Sequence, residues 1–223
     1  MIPTALIFDV DGTLAETEEA HRLAFNRAFT EFGLPWEWDR ALYRDLLRIS
    51  GGRERMAAYA KRLGATGLDD RLAALHRRKT ELYTRGVAAG EVPLRPGIAC
   101  LIAEAAAAGV VLAIATTTSR ANVEALLGDG LAQFAVVACA EDAPVKKPDP
   151  AVYTLVLDRL GLSAAVCLAL EDSSNGVRAA CAAGIAVVVS ESVYTKGDDF
   201  TGARAVYPDF GGVGLAELAR LAP

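Results

Sequence analysis

Six polar residues stand at or just beyond the ends of apolar runs: Asp9, Asp11, Thr116, Lys147, Glu171 and Asp172. Asp9 and Asp11 close the run Ala5-Leu-Ile-Phe-Asp-Val-Asp-Gly-Thr-Leu14, on either side of Val10. A short apolar run bounded by a turn signal reads as a buried strand, and alternate residues of an extended chain point the same way. Two like charges side by side at the end of a buried strand repel strongly, so they call for a hard divalent cation. The plainer reading is that Asp and Gly only start a turn. A calcium loop counted from Asp9 fails, because Leu14 falls where glycine is needed and Ala20 where the bidentate Glu belongs.

The elements that must position these residues follow from the pattern. Strands are expected over 5–8, 110–115, 134–139, 165–170, 185–189 and 203–207, with helices between them from residue 98 onward, and Pro148-Asp-Pro150 opening one of these. Strands that are apolar on both faces and alternate with helices make a parallel sheet covered on both sides. The active site of such an α/β fold lies beyond the carboxyl ends of the strands. Asp9, Asp11, Thr116, Lys147, Glu171 and Asp172 all fall on that rim. Residues 16–89 read instead as helices only, over about 20–33, 37–49, 54–63 and 72–82. The expected organisation is a Rossmann-like core of 1–15 and 90–223 carrying an all-helical cap of 16–89.

As chemistry, Asp9 and Asp172 offer oxygens to Mg2+, with the Asp11 carbonyl as a third. Thr116 offers a hydroxyl and nearby amides to a phosphate, and Lys147 a point charge. Together they describe a phosphoryl-transfer site. Each has a structural alternative: Thr118, Ser119, Asp172 or Ser173 as a helix cap, and Lys147 as a solvated loop charge.

Asp9-Val-Asp-Gly-Thr13, Thr116, Lys147-Pro148 and Glu171-Asp172, in this order, resemble the four motifs of the haloacid dehalogenase superfamily over the whole chain, and the helical insertion resembles the cap of its β-phosphoglucomutase-like branch. That resemblance implies Asp9 as the nucleophile, Asp11 as the acid–base, Thr116 and Lys147 as phosphoryl holders, and Mg2+ on Asp9, Asp11, Asp172 and neighbouring Glu171. The stretches 14–21, 51–55, 76–79, 94–97, 115–119, 171–176 and 194–200 are similar, more narrowly, to the CbbY family. Its members hydrolyse xylulose-1,5-bisphosphate, a Rubisco inhibitor, in support of the Calvin cycle. A bisphosphate needs a second anion site, for which Gly52, Arg53, Arg55 and Lys79 are the candidates, with Thr117 and Thr118 as further substrate-binding candidates. Glu16 is the candidate for the sugar hydroxyls and His21, a substrate-site candidate, for orienting it, or equally for a structural role. A β-phosphoglucomutase-type mutase, a phosphoglycolate phosphatase and a non-catalytic binding protein are the alternatives.

Composition bounds the rest. The 223 residues are 52% hydrophobic with a net charge of -5, which permits a large core and disfavours nucleic acid as a partner. No run is long enough to cross a bilayer, no signal peptide is apparent, and a cytoplasmic monomer is expected. Cys100, Cys139, Cys167 and Cys181 read as reduced core thiols.

Overall fold

The computed structural model describes residues 2–65, 67, 69–90, 92–143 and 145–222. Its centre is one parallel six-stranded sheet in the order β3-β2-β1-β4-β5-β6. The strands are β1 (Ala5–Phe8), β2 (Val111–Ala115), β3 (Val136–Ala138), β4 (Cys167–Glu171), β5 (Ala186–Ser190) and β6 (Ala205–Tyr207). β1 lies in register with β2 on one side, Phe8 opposite Ile114, and with β4 on the other, Phe8 opposite Leu170. The strand order reverses between β1 and β4, which is where this class of sheet opens a crevice.

Alternation along β1 builds two cores. Leu6 and Phe8 join Leu101, Ile102 and Ala105 of α5 (Ile98–Ala107) and Leu215 and Leu218 of α9 (Leu215–Leu221). Ala5 and Ile7 join Val152, Tyr153 and Val156 of α7 (Ala151–Leu160) and Val177, Ala179 and Ala180 of α8 (Ser174–Ala182). A strand buried on both faces needs no polar alternation, hence its unbroken apolar run.

Between β1 and β2 the chain runs through α1 (Glu18–Glu31), α2 (Arg40–Leu46), α3 (Gly52–Arg62) and α4 (Asp69–Ala88) before α5. These helices gather around a third cluster rich in aromatics, including Phe25, Phe29, Trp36, Trp38, Tyr43 and Tyr83. Leu72, Leu75, Lys79 and Leu82 form the buried stripe of α4, as their spacing implies. In α1 the stripe is His21, Ala24, Phe25, Ala28 and Phe29, while Leu23 is exposed.

Other expectations need correction. The helix expected over 37–49 is only Arg40–Leu46, since the Asp39 carboxylate caps it by accepting from Leu42 N at 2.7 Å. The strand expected to end at 170 ends at Glu171, where register with Val189 carries it one residue further. α9 has no counterpart in the expected elements. Cys139 and Cys167 are buried, but Cys100 and Cys181 are exposed: the buried face of α5 passes through Ile98, Leu101, Ile102 and Ala105, and that of α8 through Gly176, Val177, Ala179 and Ala180.

Candidate active site

Asp9 follows β1 directly, and its backbone N–H donates to Leu170 O at 3.0 Å, which ties the start of the rim to the end of β4. Its Oδ1 accepts from Lys147 Nζ at 2.6 Å; the same ammonium donates to Glu171 Oε1 at 2.5 Å and to Ala115 O at 2.9 Å. Tyr153 OH adds a further donor to Glu171 Oε1 at 2.6 Å. Asp9, Glu171 and Asp172 bring ligand-capable oxygens within 4.8 Å of one another.

This cluster is short of positive charge. Burial, then the Glu171 and Asp11 charges, outweigh Lys147 and push the Asp9 carboxyl up to about 8. Burial, with Asp9 and Glu171 nearby, raises Asp172 well above the carboxylate range. Lys147 is raised too: burial opposes its charge, but Asp9 and Glu171 more than offset that. Three buried carboxylates facing one lysine, with hard oxygen donors, suit a divalent cation. Two glycines make room for them. A Cβ on Gly12, where φ is +81°, would lie 2.0 Å from Asp172 Oδ2, and one on Gly176 would lie 1.8 Å from Glu171 Oε2.

Asp11 is held from the other side. Its Oδ1 accepts from Thr17 Oγ1 at 2.5 Å and contacts His21 Nε2 at 3.1 Å, while His21 Nδ1 lies 2.7 Å from Lys79 Nζ. An ammonium can only donate, so these partners assign the proton of a neutral His21 to Nε2. His21 stacks on Tyr83 with ring centroids 3.9 Å apart, and Lys79 sits 4.7 Å from the Phe25 ring centroid. Burial would raise Asp11, but His21, Thr17 and Lys79 bring it down to about 2. Burial lowers Lys79 to about 7, against the pull of Asp11 and Glu18.

Thr116 is buried at the end of β2, its N–H donating to Ala138 O at 3.0 Å. The rim and the inserted helices enclose a cavity of about 1200 Å³ lined by Asp9, Asp11, Thr116, Thr117, Thr118, Lys147 and Asp172 on one side. His21, Gly52, Arg53, Arg55 and Lys79 line it on the other. The helices are also tied to the rim: Asn175 Nδ2 donates to Arg48 O at 3.1 Å and to Ser50 Oγ at 3.2 Å. Arg44 pairs with Asp198 at 3.7 Å, and Tyr194 OH donates to Glu19.

Two candidates sit differently from the expectation. Glu16, expected to face sugar hydroxyls, pairs with Arg95 Nε at 3.2 Å and accepts from Val193 N at 3.4 Å, outside the cavity lining; Glu18 lines the cavity instead and accepts from Tyr43 OH at 2.7 Å. Arg55 is buried and donates to Leu46 O, Tyr43 OH and Ile49 O at 3.1–3.3 Å, so most of its fork is engaged within the insertion, whereas Arg53 is exposed to the cavity. Tyr153, Glu18, Thr17, His76 and Asn122 have no counterpart among the sequence candidates. A tyrosine three residues into the helix after Pro148-Asp-Pro150 carries no signal that its hydroxyl reaches a carboxylate at the end of β4.

A parallel sheet with paired carboxylates and a lysine at its switch point, under a helical insertion, is the layout of a phosphatase. The chain belongs to the haloacid dehalogenase-like hydrolases, whose family model matches residues 3–184. It is 49% identical over 222 residues to the protein CbbY of Rhodobacter capsulatus, covering 97% of this chain and 98% of that one. It is 52% identical to the plasmid-encoded CbbY of Cupriavidus necator, covering 93% and 85%. A solved structure of a CbbY mutant from Rhodobacter sphaeroides in complex with xylulose-1,5-bisphosphate superposes with a TM-score of 0.91, at 45% identity, over 97% of this chain and 99% of that one. Among the described residues no helix is long and apolar enough to cross a membrane.

Proposed function

We propose that this phosphatase is a Mg2+-dependent sugar-bisphosphate phosphatase whose substrate is xylulose-1,5-bisphosphate. The observation that carries the reading is one cavity with a carboxylate–lysine rim on one wall and exposed Arg53 beside the start of α3 on the other. Its volume of about 1200 Å³ is generous for a small monophosphate. The CbbY likeness, in a relative that binds this bisphosphate, points the same way.

Asp9 attacks phosphorus to give an aspartyl-phosphate, and the sugar oxygen leaves. Asp11 is the proton carrier. Its Oδ1 is held by Thr17 and His21, and its Oδ2 has no hydrogen bond among the described residues. Asp11 is ionised in the free protein, and a phosphate dianion beside it favours the protonated form it needs to supply the leaving oxygen. It then takes a proton from the water that cleaves the aspartyl-phosphate. Lys147 and Thr116 hold phosphoryl oxygens. Mg2+ would be held by Asp9, Asp172 and the Asp11 carbonyl, with Glu171 adjacent, and supplies charge neutralisation of the phosphoryl group. The inserted helices act as a cap that excludes water and reads the sugar, hinged at the two crossings to the core, near 14–17 and 88–96 (residue 91 lies outside the described residues).

Phosphate release from xylulose-1,5-bisphosphate with Mg2+, against a panel of sugar monophosphates and phosphoglycolate, tests the reading. Efficient release from the bisphosphate and loss with EDTA are expected. Faster turnover of the monophosphates, or conversion of β-glucose 1-phosphate to a phosphorylated isomer, would overturn it.

A further inference from the structure

The two adjacent lysines of the rim diverge, and only one of them serves the nucleophile. Lys147 turns to Asp9, whereas Lys146 Nζ donates to Ala140 O at 3.1 Å, and Ala140 N donates to Thr118 O at 2.8 Å. A second cation is thereby brought into the neighbourhood of Thr118, on the same cavity. The helix that follows, α6 (Arg120–Leu127), carries Asn122 in its first turn, 3% exposed and lining that cavity. Asn122 Nδ2 donates to Thr118 Oγ1 at 2.7 Å. Asn122 Oδ1 and Ser119 Oγ are both buried with no hydrogen-bond partner among the described residues. Buried polar atoms left in this way are rare in a finished protein and point to an absent ligand or water.

The start of α6 is not itself the attraction, since the Arg120 amide already donates to the Glu141 carboxylate at 3.1 Å. The side chains are. A hydroxyl has one proton to give. Because Thr118 Oγ1 accepts from Asn122, that proton stays available to an outside acceptor, and among the described residues none takes it.

We propose that Asn122 is a positioning residue, holding Thr118 Oγ1 so that its O–H is donated, beside the Lys146 ammonium, to the phosphate of a sugar bisphosphate that is not transferred. The inference rests on the bisphosphate reading above and adds the residue that sets one of its donors. An asparagine that merely ties down the turn would leave the choice between substrates untouched.

The test is steady-state kinetics on xylulose-1,5-bisphosphate and on p-nitrophenyl phosphate, which has no second phosphate, with a thermal melt of every variant. Asn122→Ala is expected to raise KM for the bisphosphate about tenfold, with kcat changed less than threefold, and to move KM for p-nitrophenyl phosphate by less than threefold. Asn122→Asp, which can only accept and so draws the Thr118 proton inward, should raise the bisphosphate KM at least as much. It also serves if the alanine variant does not fold. Thr118→Val should match Asn122→Ala, Thr118→Ser should restore most of the loss, and the double variant Thr118→Val/Asn122→Ala should add little to either single change. Equal KM changes on both substrates, or full additivity in the double variant, overturns the proposal while leaving the bisphosphate reading intact. A wild-type enzyme inactive on the bisphosphate overturns that reading, and the proposal with it.

Discussion

The strand-end rim and the inserted helices bury charge by opposite means. On the rim, Asp9, Glu171 and Asp172 crowd around a single lysine, and burial drives Asp9 and Asp172 toward their neutral forms. In the insertion the buried charges are cations: Arg55 lies 5.2 Å from the Tyr43 ring centroid, and Lys79 lies between the Phe25 and Tyr83 rings at 4.7 and 5.2 Å. Aromatic faces and neutral histidines tolerate a cation there at a lower cost than an apolar wall would. The rim thus lacks positive charge where the insertion has it, and Asp11 is the one rim carboxylate that faces the insertion through His21 and Lys79. An anion flanked by a metal on one side and by cap cations on the other fits this division better than any neutral substrate would.

The sharpest way to break the comparison is on the rim. Asp9→Asn removes the nucleophile but keeps the shape, and Lys147 retains Glu171 as partner. Phosphate release should fall by at least about a thousandfold. The melting temperature should hold or rise, because the amide replaces a carboxyl whose ionised form burial disfavours. Substantial turnover in that variant would take Asp9 out of its role.

The insertion should respond in stability rather than in chemistry. Arg55→Ala leaves Leu46 O, Ile49 O and Tyr43 OH without their guanidinium donor and should cost about 3 kcal/mol in urea unfolding. Arg53→Ala, on an exposed residue, should cost about 0.5 kcal/mol or less and instead raise KM for a bisphosphate. If the two variants behave alike, the division between a structural and a ligand-facing arginine is wrong. A smaller effect is expected on the rim from Tyr153→Phe. It removes only the hydroxyl that donates to Glu171, and kcat should drop roughly tenfold with KM little changed. A kcat equal to wild type would mean that Lys147, Asp172 N and Ser173 Oγ suffice to orient Glu171.

Legibility in the sequence divides along the same line. Strand ends are set by apolar runs and parallel register, so Asp9, Thr116, Lys147, Glu171 and Asp172 could be placed on one rim from the pattern alone, and the cavity gathers four of them, Asp9, Thr116, Lys147 and Asp172, with Glu171 bonded to Lys147 behind. A helical residue's facing depends on packing against partners that the sequence does not name. Arg53 and Arg55 look alike in a row of letters; two residues along a helix turn them roughly 160° apart, one to the cavity and one to Tyr43. Glu16 and Glu18 part for a similar reason: Glu16 precedes α1 and meets Arg95 from the other crossing, while Glu18 begins the helix and meets Tyr43. Tyr153 and Asn122 carry no such signal, because each hydrogen-bonds the side chain of a residue on another element or turn that the letters do not pair with it.

A pH dependence tests the insertion without touching the rim. His76 lines the cavity beside Gly52, where a Cβ would stand 2.9 Å from its Nε2. Burial, then the charges of Lys79, His21, Lys146 and Arg53, lowers its pKa from 6.5 to about 4. Between those values the unfolded chain binds a proton that the folded chain refuses, so stability falls as pH drops from 6.5 and levels off below about 4. From pH 7 to pH 5 this one group should cost roughly 2 kcal/mol. Carboxylates titrate in the same range, so the quantity to measure is the difference between wild type and His76→Gln in urea unfolding at the two pH values. The glutamine variant should lose less stability by that amount. Equal losses would mean that His76 is as free to take a proton in the folded protein as in the unfolded chain, and that the cations of the insertion do not act on it.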